Sequence, residues 1–128
     1  FRRVLFRSIA VAEAERLALM ARCIDFFETY DLLLCPTAIV PPFDVDVRYV
    51  EEVVGHRFEN YVDWISITFS LSLTALPIAS VPVGVTASGL PVGMQIVGPP
   101  RGEAAVLAAA AQFEPLFGMA ERVPRELA

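Results

Sequence analysis

The sequence contains no lysine, since all ten of its basic residues are arginine, and it has one histidine and two cysteines. A catalytic lysine is therefore excluded from this chain, and so is a metal site built on several histidines. Two cysteines in a largely apolar chain do not form a disulfide framework. We expect Cys23 and Cys35 to be reduced, buried small apolar side chains. Reduced cysteines are typical of a cytoplasmic protein. We also expect no bound metal and no cofactor.

Clustered positive charge is also scarce. The net charge is −5, and three of the ten arginines stand at positions 2, 3 and 7. The remaining chain has seven basic residues against fifteen acidic ones, which disfavours a nucleic-acid surface and binding to anionic lipid. A membrane span is not expected either, because Pro77 and Pro82 interrupt the most apolar region before about 20 apolar residues accumulate.

Apolar residues are abundant. They make up 55% of the 128 residues, above the ~45–50% of ordinary globular domains. Such an excess is expected where further chain covers part of the surface. The first eight residues, FRRVLFRS, are expected to be non-native, because they resemble a translated sequencing adapter and lack the features of a signal peptide. We expect the natural sequence to begin near Ile9.

Periodicity predicts a helix over residues 9–30, followed by a short strand. Four apolar residues recur at spacings of three and four and share one face of the helix: Leu17, Met20, Ile24 and Phe27. The run Leu32 to Cys35 is entirely apolar and ends at Pro36. Such a run between chain breakers predicts a buried central strand.

Residues 44–60 carry many charges and allow two interpretations. The segment could be a solvated connection or a short helix. Alternatively, His56 and a nearby carboxylate could form a metal or acid–base site. A single histidine without a second ligand at metal-binding spacing is a weak signal, which favours the first interpretation.

Residues 61–74 also allow two interpretations. Apolar residues alternate with serine and threonine from Ile65 to Thr74, and a period of two predicts a strand. A helix here would be apolar on most sides, with small hydroxyls packed between, and would belong inside a large domain.

Residues 76–100 predict a hairpin. Its strands are Ala79–Val85 and Gly93–Val97, joined through residues 86–91, with Gly89 at a positive φ. Pro82 predicts a strand end or a bulge. Gly93 and Gly98 are expected to bracket the second strand at points of close approach.

A helix is predicted over residues 102–114, with Pro115 ending it and a loose tail to residue 128. It should cover one face of the hairpin sheet through four residues: Val106, Leu107, Ala110 and Phe113.

Three ordered motifs resemble the amidase signature family of hydrolases. They are DLLLCPT at residues 31–37, LPIASVPVG at 76–84 and GLPVGMQIVG at 89–98. The similarity extends from Leu17 to Glu114. It implies an α/β fold in which residues 9–128 form the C-terminal portion of the amidase signature fold, a mixed β-sheet covered by helices and incomplete as a domain. It also implies a helix over residues 61–74.

The resemblance implies amide hydrolysis by a serine, a second serine in a cis peptide and a lysine, all located upstream of this chain. No catalytic residue is therefore expected here, and the chain alone is expected to be inactive. Ser72 and Ala75 replace the family's asparagine and glycine near the pocket, which leaves the acyl-group preference open.

Thr37, Trp64 and Gln95 are the candidate substrate-binding residues. The alternatives are a turn hydroxyl for Thr37, core packing for Trp64 and a buried amide that satisfies backbone for Gln95. The expected partners are the N-terminal part of the same protein and a small amide substrate, with a homodimer as a further expectation. Two other functions stay open: a tRNA amidotransferase A-subunit-like protein, and a non-catalytic α/β binding or scaffold domain.

Overall fold

Helices and strands alternate along the chain. The computed structural model describes residues 2–119, with side chains from residue 8 onward. The α/β fold class is confirmed. In chain order the elements are α1 (Arg2–Phe27), β1 (Leu33–Pro36), β2 (Glu52–Val53), β3 (His56–Arg57), α2 (Tyr61–Trp64), α3 (Ser66–Ser72), β4 (Ile78–Val85), β5 (Pro91–Val97) and α4 (Glu103–Phe117).

The predicted hairpin is confirmed, with β4 and β5 as neighbours in a three-stranded sheet of order β1-β5-β4. Gly89 has a φ of 85° in the turn, a conformation that glycine adopts without steric cost. The register shifts between Pro82 and Gly84, so the bulge predicted at Pro82 is also confirmed. Within residues 2–119 the sheet strands pair only antiparallel, whereas the resemblance implied a mixed sheet.

Strand β1 is not the central strand that its apolar run predicted. It pairs with β5 on one side only and lies at the edge of the described sheet. Its residues alternate between half-buried and exposed, and none of them is fully buried. The central strand is β5, in which Ile96 and Val97 are fully buried.

Helix α4 covers one face of the sheet. Val106, which is 3% exposed, packs with Val81 and Ile96, and Ala110 and Phe113 join the same cluster. The prediction was wrong for Leu107, which is 66% exposed. It was also wrong at Pro115, since α4 continues to Phe117. A proline in the last turn interrupts few backbone hydrogen bonds.

Other parts of the chain approach Gly93 and Gly98 closely, as predicted. Gly93 lies inside β5 rather than at its start. A Cβ at Gly98 would collide with the Val106 side chain. Glycine at this position therefore lets α4 lie against the end of β5.

Residues 61–72 are helical, as the family resemblance implied, but they form two short helices that meet at Ile65. The Asn60 side chain starts α2 by accepting hydrogen bonds from the backbone N–H groups of Val62 (2.9 Å) and Asp63 (3.2 Å). This capping, a typical role for asparagine, favours the helix over the strand that the alternation predicted. Residues 44–60 are bends and turns with the short β2–β3 hairpin.

Helix α1 begins at Arg2 and ends at Phe27, three residues before the predicted end. No other helix or strand of the described chain lies against it. On the predicted apolar face Leu17 is 56% and Ile24 44% exposed, whereas Met20 and Phe27 are half-buried, so the face is only partly covered. Cys23 and Cys35 are free and half-buried rather than fully buried.

Two further sequence predictions concern the ends of the chain. The boundary placed after residue 8 stays a prediction, and most of the predicted loose tail, residues 120–128, lies outside the described residues. Among residues 2–119, no helix has both the length and the apolar character needed to cross a bilayer.

Candidate functional site

A cleft of about 710 Å³ opens where the chain leaving β1 passes the beginning of β5. Its walls are formed by residues 34–43, Trp64, Val83 and residues 91–94. This volume falls within the roughly 300–1,000 Å³ of typical small-molecule sites. The cleft is therefore large enough to hold a small organic ligand.

The cleft wall is apolar and partly rigid. Phe43 and Trp64 meet edge to face, with ring centroids 5.4 Å apart, which is a favourable aromatic geometry. Prolines contribute to the wall at positions 36, 41, 42 and 91. Because proline fixes φ and has no N–H, these positions hold their backbone shape and offer no donor.

The wall carries no formal charge. None of the residues that the structure shows along the cleft is aspartate, glutamate, lysine, arginine or histidine. The one ionisable group there is the Cys35 thiol, and burial raises its pKa, so it is protonated at neutral pH. A charged ligand group would find no counter-ion on this wall.

Thr37 lines the cleft and carries a hydroxyl group. Its Oγ1 lies 2.8 Å from the Oγ of Ser80, and its backbone N–H donates to the carbonyl of Gly93 at 3.0 Å. The hydroxyl of Thr68 donates to the carbonyl oxygen of Thr37 at 3.3 Å. Thr37 is therefore held by contacts from β4, β5 and α3.

Gly93 makes the Thr37–Ser80 contact possible. The two hydroxyls belong to chain on either side of the central strand β5, and they meet above the position of Gly93. A Cβ there would lie 2.9 Å from Thr37 Oγ1 and 3.5 Å from Ser80 Oγ. Sequence reasoning missed Ser80. The signal that could have found it is the strand pairing, which places Ser80 two residues from the position opposite Gly93.

Trp64 packs against the rings of Phe43 and Tyr61 and also lines the cleft; its role in substrate binding stays a prediction. Its ring lies 5.7 Å from that of Tyr61 as well as near Phe43. Its Nε1 is shielded from solvent and has no hydrogen-bond partner within the described region. A buried donor without a partner is rare in native structures.

Gln95 lies away from the cleft wall and is 5% exposed. Its Nε2 donates to the carbonyl of Pro36 at 3.0 Å and lies 3.8 Å from Cys35 Sγ. The amide thus ties β1 to β5 directly behind the wall. Thr37 and Trp64 are brought together at the cleft, whereas Gln95 supports it from the neighbouring strand.

His56 is exposed on β3 and contacts the ring of Phe58 at 5.0 Å. Over the described residues, no group of three or more histidine, cysteine, aspartate or glutamate side chains is placed to hold a metal ion.

Comparison with known sequences gives a family match. The family model described as Amidase matches residues 7–107. The A-subunit of the glutamyl-tRNA(Gln) amidotransferase of Streptococcus mutans is 38% identical over 88 residues, which are 69% of this chain and 17% of that protein. Its counterpart from Cenarchaeum symbiosum is 41% identical over 95 residues, covering 74% and 18% respectively.

Comparison with solved structures agrees. A bacterial aryl acylamidase of the amidase signature enzymes family superposes with a TM-score of 0.75 at 29% identity, over 85% of this chain and 23% of that one. The 6-aminohexanoate cyclic dimer hydrolase superposes with a TM-score of 0.77 over 93% of this chain and 26% of its own. At 23% identity the latter supports the fold alone. The chain spans about a fifth of the curated relatives, and it belongs to the amidase family.

Proposed function

We propose that residues 9–128 are the C-terminal portion of an amidase that hydrolyses a small carboxylic amide. The observation that carries this proposal is a substrate-sized cleft in a chain of the amidase family that has no lysine. The chain forms a binding wall and a sheet core, while the catalytic groups belong to the preceding part of the protein.

The proposed reaction uses residues upstream of this chain. A serine attacks the amide carbonyl, a second serine in a cis peptide relays its proton, and a neutral lysine acts as the base. Backbone N–H groups stabilise the oxyanion that forms, and such preorganised donors supply a large share of enzymatic rate enhancement. The described residues contribute no group to these steps.

Two of the proposed site residues lie on the substrate wall, and a third supports it. Thr37 and Trp64 line the cleft. Gln95 holds the Pro36 carbonyl from behind and so fixes the position of the wall. The remaining partners are the N-terminal part of the same protein and the amide substrate.

A second candidate is a role like that of an amidotransferase A-subunit. Several curated relatives carry this name, at 38–41% identity to part of this chain. The two candidates share the amidase fold and differ in substrate, so substrate preference distinguishes them.

The test compares ammonia release from simple carboxamides by the full-length protein and by the 128-residue chain. We expect turnover by the full-length protein only, because rate enhancements of about 10⁶-fold or more require the nucleophile, base and oxyanion donors together. Turnover by the 128-residue chain that a single serine or His56 substitution abolishes would contradict the proposal.

A further inference from the structure

We propose that the cleft binds the uncharged, apolar acyl group of the amide substrate and rejects a charged one. This preference rests on the proposed amidase function and specifies its substrate class. It follows from the chemistry of the cleft wall.

The wall matches an uncharged group because it has apolar surface and lacks counter-ions. Phe43, Trp64 and Met94 supply aromatic and thioether surface, and these side chains make favourable contacts with a flat apolar group. A carboxylate or ammonium placed against the same wall would lose its water and gain no opposite charge, which is costly.

The hydroxyl of Thr37 on the cleft wall can orient a neutral ligand through a hydrogen bond, but it cannot neutralise a charge. The hydroxyl of Thr37 is already engaged with Ser80 at 2.8 Å. A hydroxyl has one donor and two acceptor positions, so Thr37 keeps capacity for two further hydrogen bonds. A few placed polar groups on an apolar wall are typical of sites that orient a ligand.

A second, smaller cavity is lined by charged residues, unlike the described wall of the cleft. It measures about 340 Å³ and is lined by Tyr49, Glu51, Arg57, Phe58 and Glu59. Arg57 and Glu51 form an exposed ion pair there at 3.5 Å. Charged side chains are thus gathered around the β2–β3 hairpin and are missing from the described wall of the larger cleft.

The experiment measures binding of two probes of matched size to the full-length protein by calorimetric titration at pH 7.5. The probes are 4-methylbenzamide, which is neutral, and 4-carboxybenzamide, whose carboxylate is ionised. We expect the neutral probe to bind at least about tenfold more tightly, since a desolvated charge without a partner readily costs that factor.

Three variants test whether the preference arises at this wall. Ala38 is exposed and lines the cleft, so Ala38→Arg should strengthen binding of the carboxylate probe about tenfold or more by supplying a counter-ion. Ala38→Gln gives a long side chain without charge and should not. Ala108 is an exposed residue of α4 that does not line the cleft, so Ala108→Arg should leave both affinities unchanged.

The outcomes separate this inference from the amidase proposal. Equal affinities for the two probes, no binding of either, or equal effects of Ala38→Arg and Ala108→Arg would overturn the inference. Hydrolysis of the neutral probe is scored in parallel. Preferential binding that responds to Ala38→Arg, without hydrolysis of any amide, would support the assignment of the cleft and refute the amidase activity.

Discussion

Helices α1 and α4 each carry apolar side chains along one side, but only α4 lies on the sheet. In α4, Val106 is 3% exposed, whereas in α1 Leu17 is 56% exposed. Helix α1 was predicted from its periodicity and α4 from its high alanine content, and an apolar packing face was assigned to each. The difference shows that a helical pattern identifies the side that can be buried, and that a neighbouring surface decides whether it is buried.

Helix α4 reaches the sheet surface because the chain turns back just after Gly98. The short connection after β5 returns the helix directly over the hairpin, and Gly98 lets Val106 approach the strand end. No described element offers α1 such a surface. Because the chain spans about a fifth of its curated relatives, we expect the apolar side of α1 to pack against other parts of the full-length protein.

The contrast between the helices predicts unequal effects for two identical substitutions. Ile96 is fully buried in β5, and Ile24 is 44% exposed in α1. We expect Ile96→Ala to lower the free energy of unfolding by about 2–5 kcal/mol through lost burial and a new cavity. Ile24→Ala should change it by less than about 0.5 kcal/mol. Urea unfolding of the 128-residue chain, followed by circular dichroism, measures both; similar losses would mean that α1 is packed in solution.

Proline substitution sharpens the contrast at the level of whole helices. Ala108 and Ala18 are both exposed residues inside their helices. A proline in a helix interior costs about 3 kcal/mol or more. Ala108→Pro should therefore destabilise the sheet together with α4. Ala18→Pro should reduce the helical circular dichroism. It should leave the unfolding transition seen by fluorescence in place, because α1 contacts no described strand and the fluorescence comes from Trp64, the only tryptophan. A shift of that transition by Ala18→Pro would show that α1 and the sheet unfold together.

The hairpin was predicted well from the sequence because its signals are local. Gly89 and Pro82 each demand a particular backbone conformation, and the structure has the turn and the bulge where these residues stand. The edge position of β1 could not be predicted, since it depends on which strands lie beside it. A run such as Leu32 to Cys35 has the same pattern in either position.

The candidate site was only partly predictable for the same reason. Thr37 was selected because it ends the motif at residues 31–37, and Trp64 was selected as a single residue. Both line the cleft, and their role in substrate binding stays a prediction. Ser80 was missed, because its contact with Thr37 joins residues 43 positions apart across an intervening strand. The register of three strands must be known before that pair can be recognised.

The smallest expected effect concerns an ion pair on α1. Glu13 and Arg16 lie 3.0 Å apart, with side chains 58% and 33% exposed. Such a pair three residues apart stabilises a helix by about 0.2–0.5 kcal/mol. Glu13→Gln should therefore slightly lower the helical circular dichroism of α1 at low salt. The loss should vanish in 1 M salt, where screening acts over about 3 Å.

Glu15→Gln is the matched control, because Glu15 lies in the same helix and has no ion pair within the described region. It should leave the helical signal unchanged. Neither substitution should move the Trp64 fluorescence transition, because α1 contacts no described strand. If Glu13→Gln moved that transition by more than about 0.5 kcal/mol, beyond the usual effect of a surface substitution, α1 would be energetically coupled to the sheet. Its exposed apolar side would then be covered within this chain, and the contrast with α4 would no longer hold.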